Sequence, residues 1–189
     1  MNHLEFLQSR HSMPVRFLGA GQPSAAELEQ VFQAAMSAPD HGALRPWRFL
    51  TLDAPAMDKL GALFVAGLLA REPDASEETQ EMVRGKAKRT PLLIVAAAEI
   101  TEGHPKVPPI EQIISAAAAT EHVLLALHAL GYGAMLVTGP NAYAPEVKAG
   151  LGLAAKDAII GFILVGSRAG ETRDKTRPAA KDCYRAWHG

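Results

Sequence analysis

The run Ser9-Arg10-His11-Ser12 sets a guanidinium, an imidazole and a hydroxyl beside the end of a short apolar segment. An arginine fork with a hydroxyl and backbone N–H donors suits a phosphate monoester. The other reading of the same residues is a solvated arginine with Ser12 closing a local turn. A second stretch, Ala38-Pro39-Asp40-His41, leads through further turn residues to Trp47. Asp40 can bond its own turn backbone, Pro39 fixes the chain direction and His41 offers a hydrogen-bonding ring. The bland alternative is a helix-to-strand turn with Trp47 as a core anchor. A third stretch, Gly131-Tyr132-Gly133-Ala134-Met135-Leu136-Val137-Thr138-Gly139, brackets a short strand with glycines that let a ligand approach the backbone.

Other chemistries find little footing. No G-x-G-x-x-G follows a strand, and H-E-x-x-H, G-x-S-x-G and the P-loop are absent from the sequence. His122 and His128 stand six apart, off a common helix face, and read as packing or interface residues rather than a zinc pair. The one cysteine, Cys183, excludes an internal disulfide or a cysteine-based zinc site and reads as an inert thiol.

The elements that must position these residues fit one domain over 1–189. With 48% hydrophobic and 21% charged residues, the chain is a soluble globule rather than a disordered one. Nineteen basic against 20 acidic residues leave no field to draw in a polyanion, so no nucleic-acid partner is expected. The first residues lack the apolar core of a signal peptide, and the expected location is the cytoplasm. Aromatics are only 6% of residues, so a flat cofactor must be held mainly by backbone and small side chains.

Residues 2–9 have near-helical apolar spacing, and Ser24 with Glu27 forms a capping box that opens a helix ending near Pro39. Strands are expected at 47–52, 91–97, 134–138 and 158–165, the second and last buried on both faces. Helices are expected at 54–69 and, as a polar surface element, within 71–90. Residues 110–130 form the longest helical pattern, apolar nearly all round. Glu111, Glu121, His122 and His128 argue against a membrane span, so this helix belongs at the domain centre or against a second subunit.

Taken in order, Arg10-His11-Ser12, Ala38-Pro39-Asp40-His41 with Pro46-Trp47-Arg48-Phe49, Lys106-Val107-Pro108 with Glu111-Gln112, and Gly131-Tyr132-Gly133 with Thr138-Gly139 resemble the FMN-dependent nitroreductase family. The likeness is closest to its short NAD(P)H nitroreductase branch. It implies an α+β fold with a mixed β-sheet flanked by helices, and an intertwined homodimer with FMN at the interface. It also implies an enzyme that passes a hydride from NADH or NADPH through flavin N5 to a small electron-poor acceptor, such as a nitroaromatic or quinone, with no catalytic side chain. Different flavin chemistry on the same fold (dehalogenation, flavin breakdown, dehydrogenation) and a non-catalytic flavin-binding dimer are the alternatives.

By the same resemblance, Arg10 and Ser12 hold the FMN phosphate with His11 alongside, and one of Arg173, Lys175 and Arg177 closes on it. Pro39, Asp40 and His41 reach the flavin of the other subunit, and Met135, Leu136, Val137 and Thr138 pass beside the cofactor. Ser37 stands at a cofactor-side position that is basic in some relatives. The chain departs from the family pattern at Ala43, where asparagine is usual, at Arg45, which replaces glutamine, and at Leu136-Val137, where Trp-Arg is frequent.

Overall fold

Leu92–Ala98 (β3) is buried at every position, which a strand covered on both faces requires. In the computed structural model, which describes residues 2–170 and 176–189, its side chains alternate between two apolar clusters. Leu92, Ile94, Ala96 and Ala98 face one side, against Val31 and Ala35 of α2 (Ala25–Ala35) and Ala116, Ala119, Val123 and Leu127 of α5 (Pro109–Ala129). Leu93, Val95 and Ala97 face the other, against Leu60, Phe64 and Leu68 of α3 (Ala54–Arg71), Val83 of α4 (Glu77–Gly85) and Val147 of α6 (Pro145–Gly150). The result is three layers, with the sheet between two groups of helices.

Strand β5 (Ala158–Arg168) lies at the middle of the sheet, with β3 on one edge and β4 (Tyr132–Val137) on the other. Strand β2 (Trp47–Leu52) pairs with the far side of β3. The two-residue β1 (Leu18–Gly19) joins β5 at Ser167 and Arg168; Tyr132 occupies the other edge at Ser167, so β1 continues the β3 side. All pairings among the described residues are antiparallel, where the family resemblance leads to a mixed sheet. One crossover helix would return the chain for a parallel strand; the two helices α3 and α4 add a reversal, and β3 re-enters antiparallel to β2.

The sequence places the helices closely. Ser24 and Glu27 form the expected capping box on α2, and Asn2 and Glu5 form another on α1 (His3–Ser9). Gly131, at φ 85°, ends α5 in the left-handed conformation that glycine adopts without cost. By length and composition α5 could cross a membrane. Here its inner face packs into the core, and the buried Gln112 amide bonds Thr101 and the Val107 carbonyl, pinning the proline-rich loop ahead of the helix.

The expectation that α5 is buried all round is corrected within one protomer. Ile110, Ile114, Ala117 and Glu121 form a continuous exposed stripe, and both isoleucines are 60% exposed. The core takes only the face carrying the small residues Ser115, Ala116, Ala119 and Thr120, which let α5 lie close to its neighbours.

Candidate functional site

The first of the three predicted clusters assembles where the chain leaves α1. Arg10 is extended, and Met13 N–H donates to the Ala134 carbonyl at 2.9 Å, laying residues 10–13 along the start of β4. Gly133 makes this possible: a Cβ there would stand 2.5 Å from the sulfur of the buried Met13. Arg10 and His11 are thereby fixed, half-buried, at a rim. Arg10 Nε lies 2.9 Å from Glu121 Oε1 of α5, and the Arg10 carbonyl accepts from Arg177 Nη2 at 2.5 Å. His11 Nδ1 is 3.0 Å from the Ser9 carbonyl, which can only accept, so Nδ1 carries the proton. Ser12 is half-buried beside them.

Two residues that the sequence reading did not select complete this cluster. Arg168, at the end of β5, donates through Nη2 to His128 Nδ1 in a short contact and through Nε to the Tyr132 carbonyl at 3.4 Å. His128 Nε2 in turn lies 2.8 Å from Ser9 Oγ, whose hydroxyl donates to the Phe6 carbonyl at 2.8 Å. These partners fix His128 as the neutral Nε2–H tautomer. Its pKa is held below the ordinary histidine value, first by burial and then by the charges of Arg168, His11 and Arg10. Arg10, His11, His128 and Arg168 line one cavity of about 10 Å³, room for a single water, and among the described residues no carboxylate lines it. The sequence signal for Arg168 was its place at the end of an apolar strand, just past Gly166-Ser167.

The second cluster is tied to the opposite end of α5. His41 Nδ1 lies 2.5 Å from Glu111 Oε2, and both side chains are exposed. Asp40 Oδ2 accepts from the Arg45 amide at 2.7 Å, the turn bond its residue type suggested. That bond closes a loop in which Gly42, Ala43 and Arg45 have φ of 74°, 52° and 49°. A positive φ at two non-glycine residues so close together is local strain. Pro39 is exposed at the loop entrance. Trp47 is buried with its indole N–H on the Met36 sulfur, the core-anchor reading. Ser37 Oγ donates to the Ala34 carbonyl at 2.8 Å and lies 3.2 Å from His122 Nδ1, so it joins α2 to α5.

The third cluster merges with the first at one end only. Ala134 receives Met13, and the half-buried Met135, Leu136 and Val137 then run away along β4 to the exposed Thr138. Leu136 is accommodated by Gly161 of β5, where a Cβ would stand 2.6 Å from Leu136 Cδ1.

Within one protomer the first and second clusters stay apart. Their partners Glu121 and Glu111 are ten residues apart on α5, roughly 15 Å along its axis. Of the three tail residues considered for the phosphate, Arg177 reaches the first cluster; Arg173 and Lys175 lie outside the described residues. Arg10, His11 and Arg168 at the cavity, with Arg177 on the Arg10 carbonyl, have the donor chemistry to hold a phosphate monoester.

Comparison with known proteins gives this arrangement a family. The sequence profile of the "Nitroreductase family" matches residues 7–167. A protein of Haemophilus influenzae named "Putative NAD(P)H nitroreductase" is 33% identical over 167 residues, which cover 88% of this chain and 89% of that protein. A crystal structure of a nitroreductase-like family protein from Bacillus cereus superposes with a TM-score of 0.84 at 18% identity, covering 100% of this chain and 97% of that one. A nitroreductase with bound FMN from Bacteroides fragilis superposes with a TM-score of 0.71 at 23% identity, covering 95% and 96%.

Proposed function

This chain belongs to the nitroreductase family, and from that premise we propose that it is an FMN-dependent oxidoreductase carrying electrons from NADH or NADPH to a small electron-poor acceptor, such as a nitroaromatic or a quinone. The observation that carries the reading is the convergence of Arg10, His11 and Arg168 on one cavity, with Arg177 on the Arg10 carbonyl. FMN, when bound, supplies the two-electron transfer between nucleotide and acceptor at its N5 position. Arg10 and Ser12, with His11 and Arg177, hold its phosphate. Pro39, Asp40 and His41, with Ser37 behind them, meet the flavin from a second protomer, and the Met135 to Thr138 backbone passes alongside. No side chain acts as a nucleophile.

Two copies complete the site. The two clusters lie at opposite ends of α5, and the same helix leaves the stripe Ile110, Ile114 and Ala117 open to solvent. A homodimer that covers this stripe sets the first cluster of one protomer against the second cluster of its partner, and makes burial of α5 complete. In this reading residues 1–189 form a single FMN-binding domain that works in the cytoplasm.

Anaerobic FMN-loaded protein tests the reaction. Either nicotinamide nucleotide should bleach the flavin band, and nitrobenzene or benzoquinone should restore it. Bound FMN that neither nucleotide reduces would instead favour the non-catalytic flavin-binding dimer.

A further inference from the structure

We propose that Arg168 is a further phosphate-binding guanidinium of the flavin site, beside Arg10 and Arg177, oriented by the neutral ring of His128. The inference rests on the reading of Arg10 as a phosphate ligand. A phosphate monoester carries about −1.5 to −2 at neutral pH, whereas Arg10 already has Glu121 on its Nε at 2.9 Å. Arg10, so paired, leaves most of that charge to Arg177 and to further donors.

Arg168 lines the same cavity as Arg10 and His11. Its partners among the described residues are neutral acceptors, His128 Nδ1 and the Tyr132 carbonyl. They use two of its five N–H donors. The three that remain have no partner among the described residues, enough for a forked contact to phosphate oxygens.

The orientation is imposed from behind. Arg168 donates to His128, His128 donates to Ser9, and Ser9 donates to the Phe6 carbonyl at the end of α1. Each proton in this relay has one direction, because the carbonyl at its end can only accept and the guanidinium at its start can only donate. His128 is therefore a positioning residue: it holds the guanidinium at the cavity and presents no proton to it. The tilted packing of Phe6 against His128, with ring centroids 5.2 Å apart, keeps the imidazole in place. The cavity has room for only one water, so the phosphate lies at its mouth, where the donors of Arg168 join those of Arg10 and Arg177.

The test compares FMN with riboflavin, which lacks the phosphate, by flavin-fluorescence titration of the purified protein. Wild type should prefer FMN. Arg168→Gln should weaken FMN binding by about tenfold or more while leaving riboflavin affinity unchanged, which also reports an intact fold. Arg168→Lys should restore part of the preference, and His128→Ala should lose part of it through the misplaced guanidinium. An Arg168→Gln protein with the wild-type FMN preference, in a series where Arg10→Ala loses it, overturns the assignment of Arg168 alone. A wild-type protein that binds both flavins equally contradicts the underlying phosphate reading instead.

Discussion

Glu121 Oε1 stands 2.9 Å from Arg10 Nε, so a carboxylate occupies the guanidinium assigned to the cofactor phosphate. The two negative groups compete. A partly exposed pair of this kind is worth up to about 1 kcal/mol, so Glu121→Gln should tighten FMN binding by up to about fivefold. Arg10→Ala should weaken it by about tenfold or more. Fluorescence titration of FMN measures both, and weaker binding in Glu121→Gln would show that Glu121 supports Arg10 rather than competing for it.

The loop of the second cluster stores strain that one substitution should relieve. Ala43 has φ of 52°, a conformation costing roughly 1–2 kcal/mol for a residue with a Cβ and tolerated best by glycine and asparagine. Ala43→Asn should therefore stabilise the fold by about 0.5–1 kcal/mol, a rise in Tm of about 1–4 °C. Thermal unfolding checks this, and a lower Tm would place the strain elsewhere.

Acid should loosen the junction of α1 with the body. His128 is held neutral by burial, then by Arg168 and by His11 and Arg10, while Ser9 and Phe6 contact it from α1. A folded-state pKa below the ordinary value of about 6.5 means that the unfolded chain binds more protons in that window. The stability from neutral His128 is complete above pH 6.5 and is lost as the pH falls through the folded pKa. Urea midpoints should fall more between pH 7.5 and pH 5 for wild type than for His128→Gln. Equal falls would remove His128 from the explanation.

Ile114 sits in the open stripe of α5 at 60% exposure. A glutamate there costs the isolated protomer little and would be buried in the proposed dimer. Sedimentation should give wild type twice the 20.1 kDa chain mass, and Ile114→Glu the monomer with weakened FMN binding. A wild-type monomer that retains FMN would refute the shared site.

Much of this architecture was legible from periodicity. The continuous run of β3 announced burial on both faces, and the Ser24 and Glu27 pair announced the start of α2. The direction of strand pairing was not, because it depends on how α3 and α4 pack back, and residue types leave that open. The first cluster was legible because Arg10, His11 and Ser12 are adjacent in sequence. Arg168 was not, since 40 residues separate it from His128 and only the β4–β5 pairing brings it to the end of α5. For α5 the sequence left two covers open, its own core or a second subunit, because an apolar residue on a helix looks the same in sequence whichever covers it.

Flavin content tests the central claim most directly. Purified protein incubated with FMN and freed of excess should show the flavin absorbance bands at one FMN per chain, and NADPH or NADH should bleach them in the absence of oxygen. A folded protein that stays colourless after reconstitution would contradict the account.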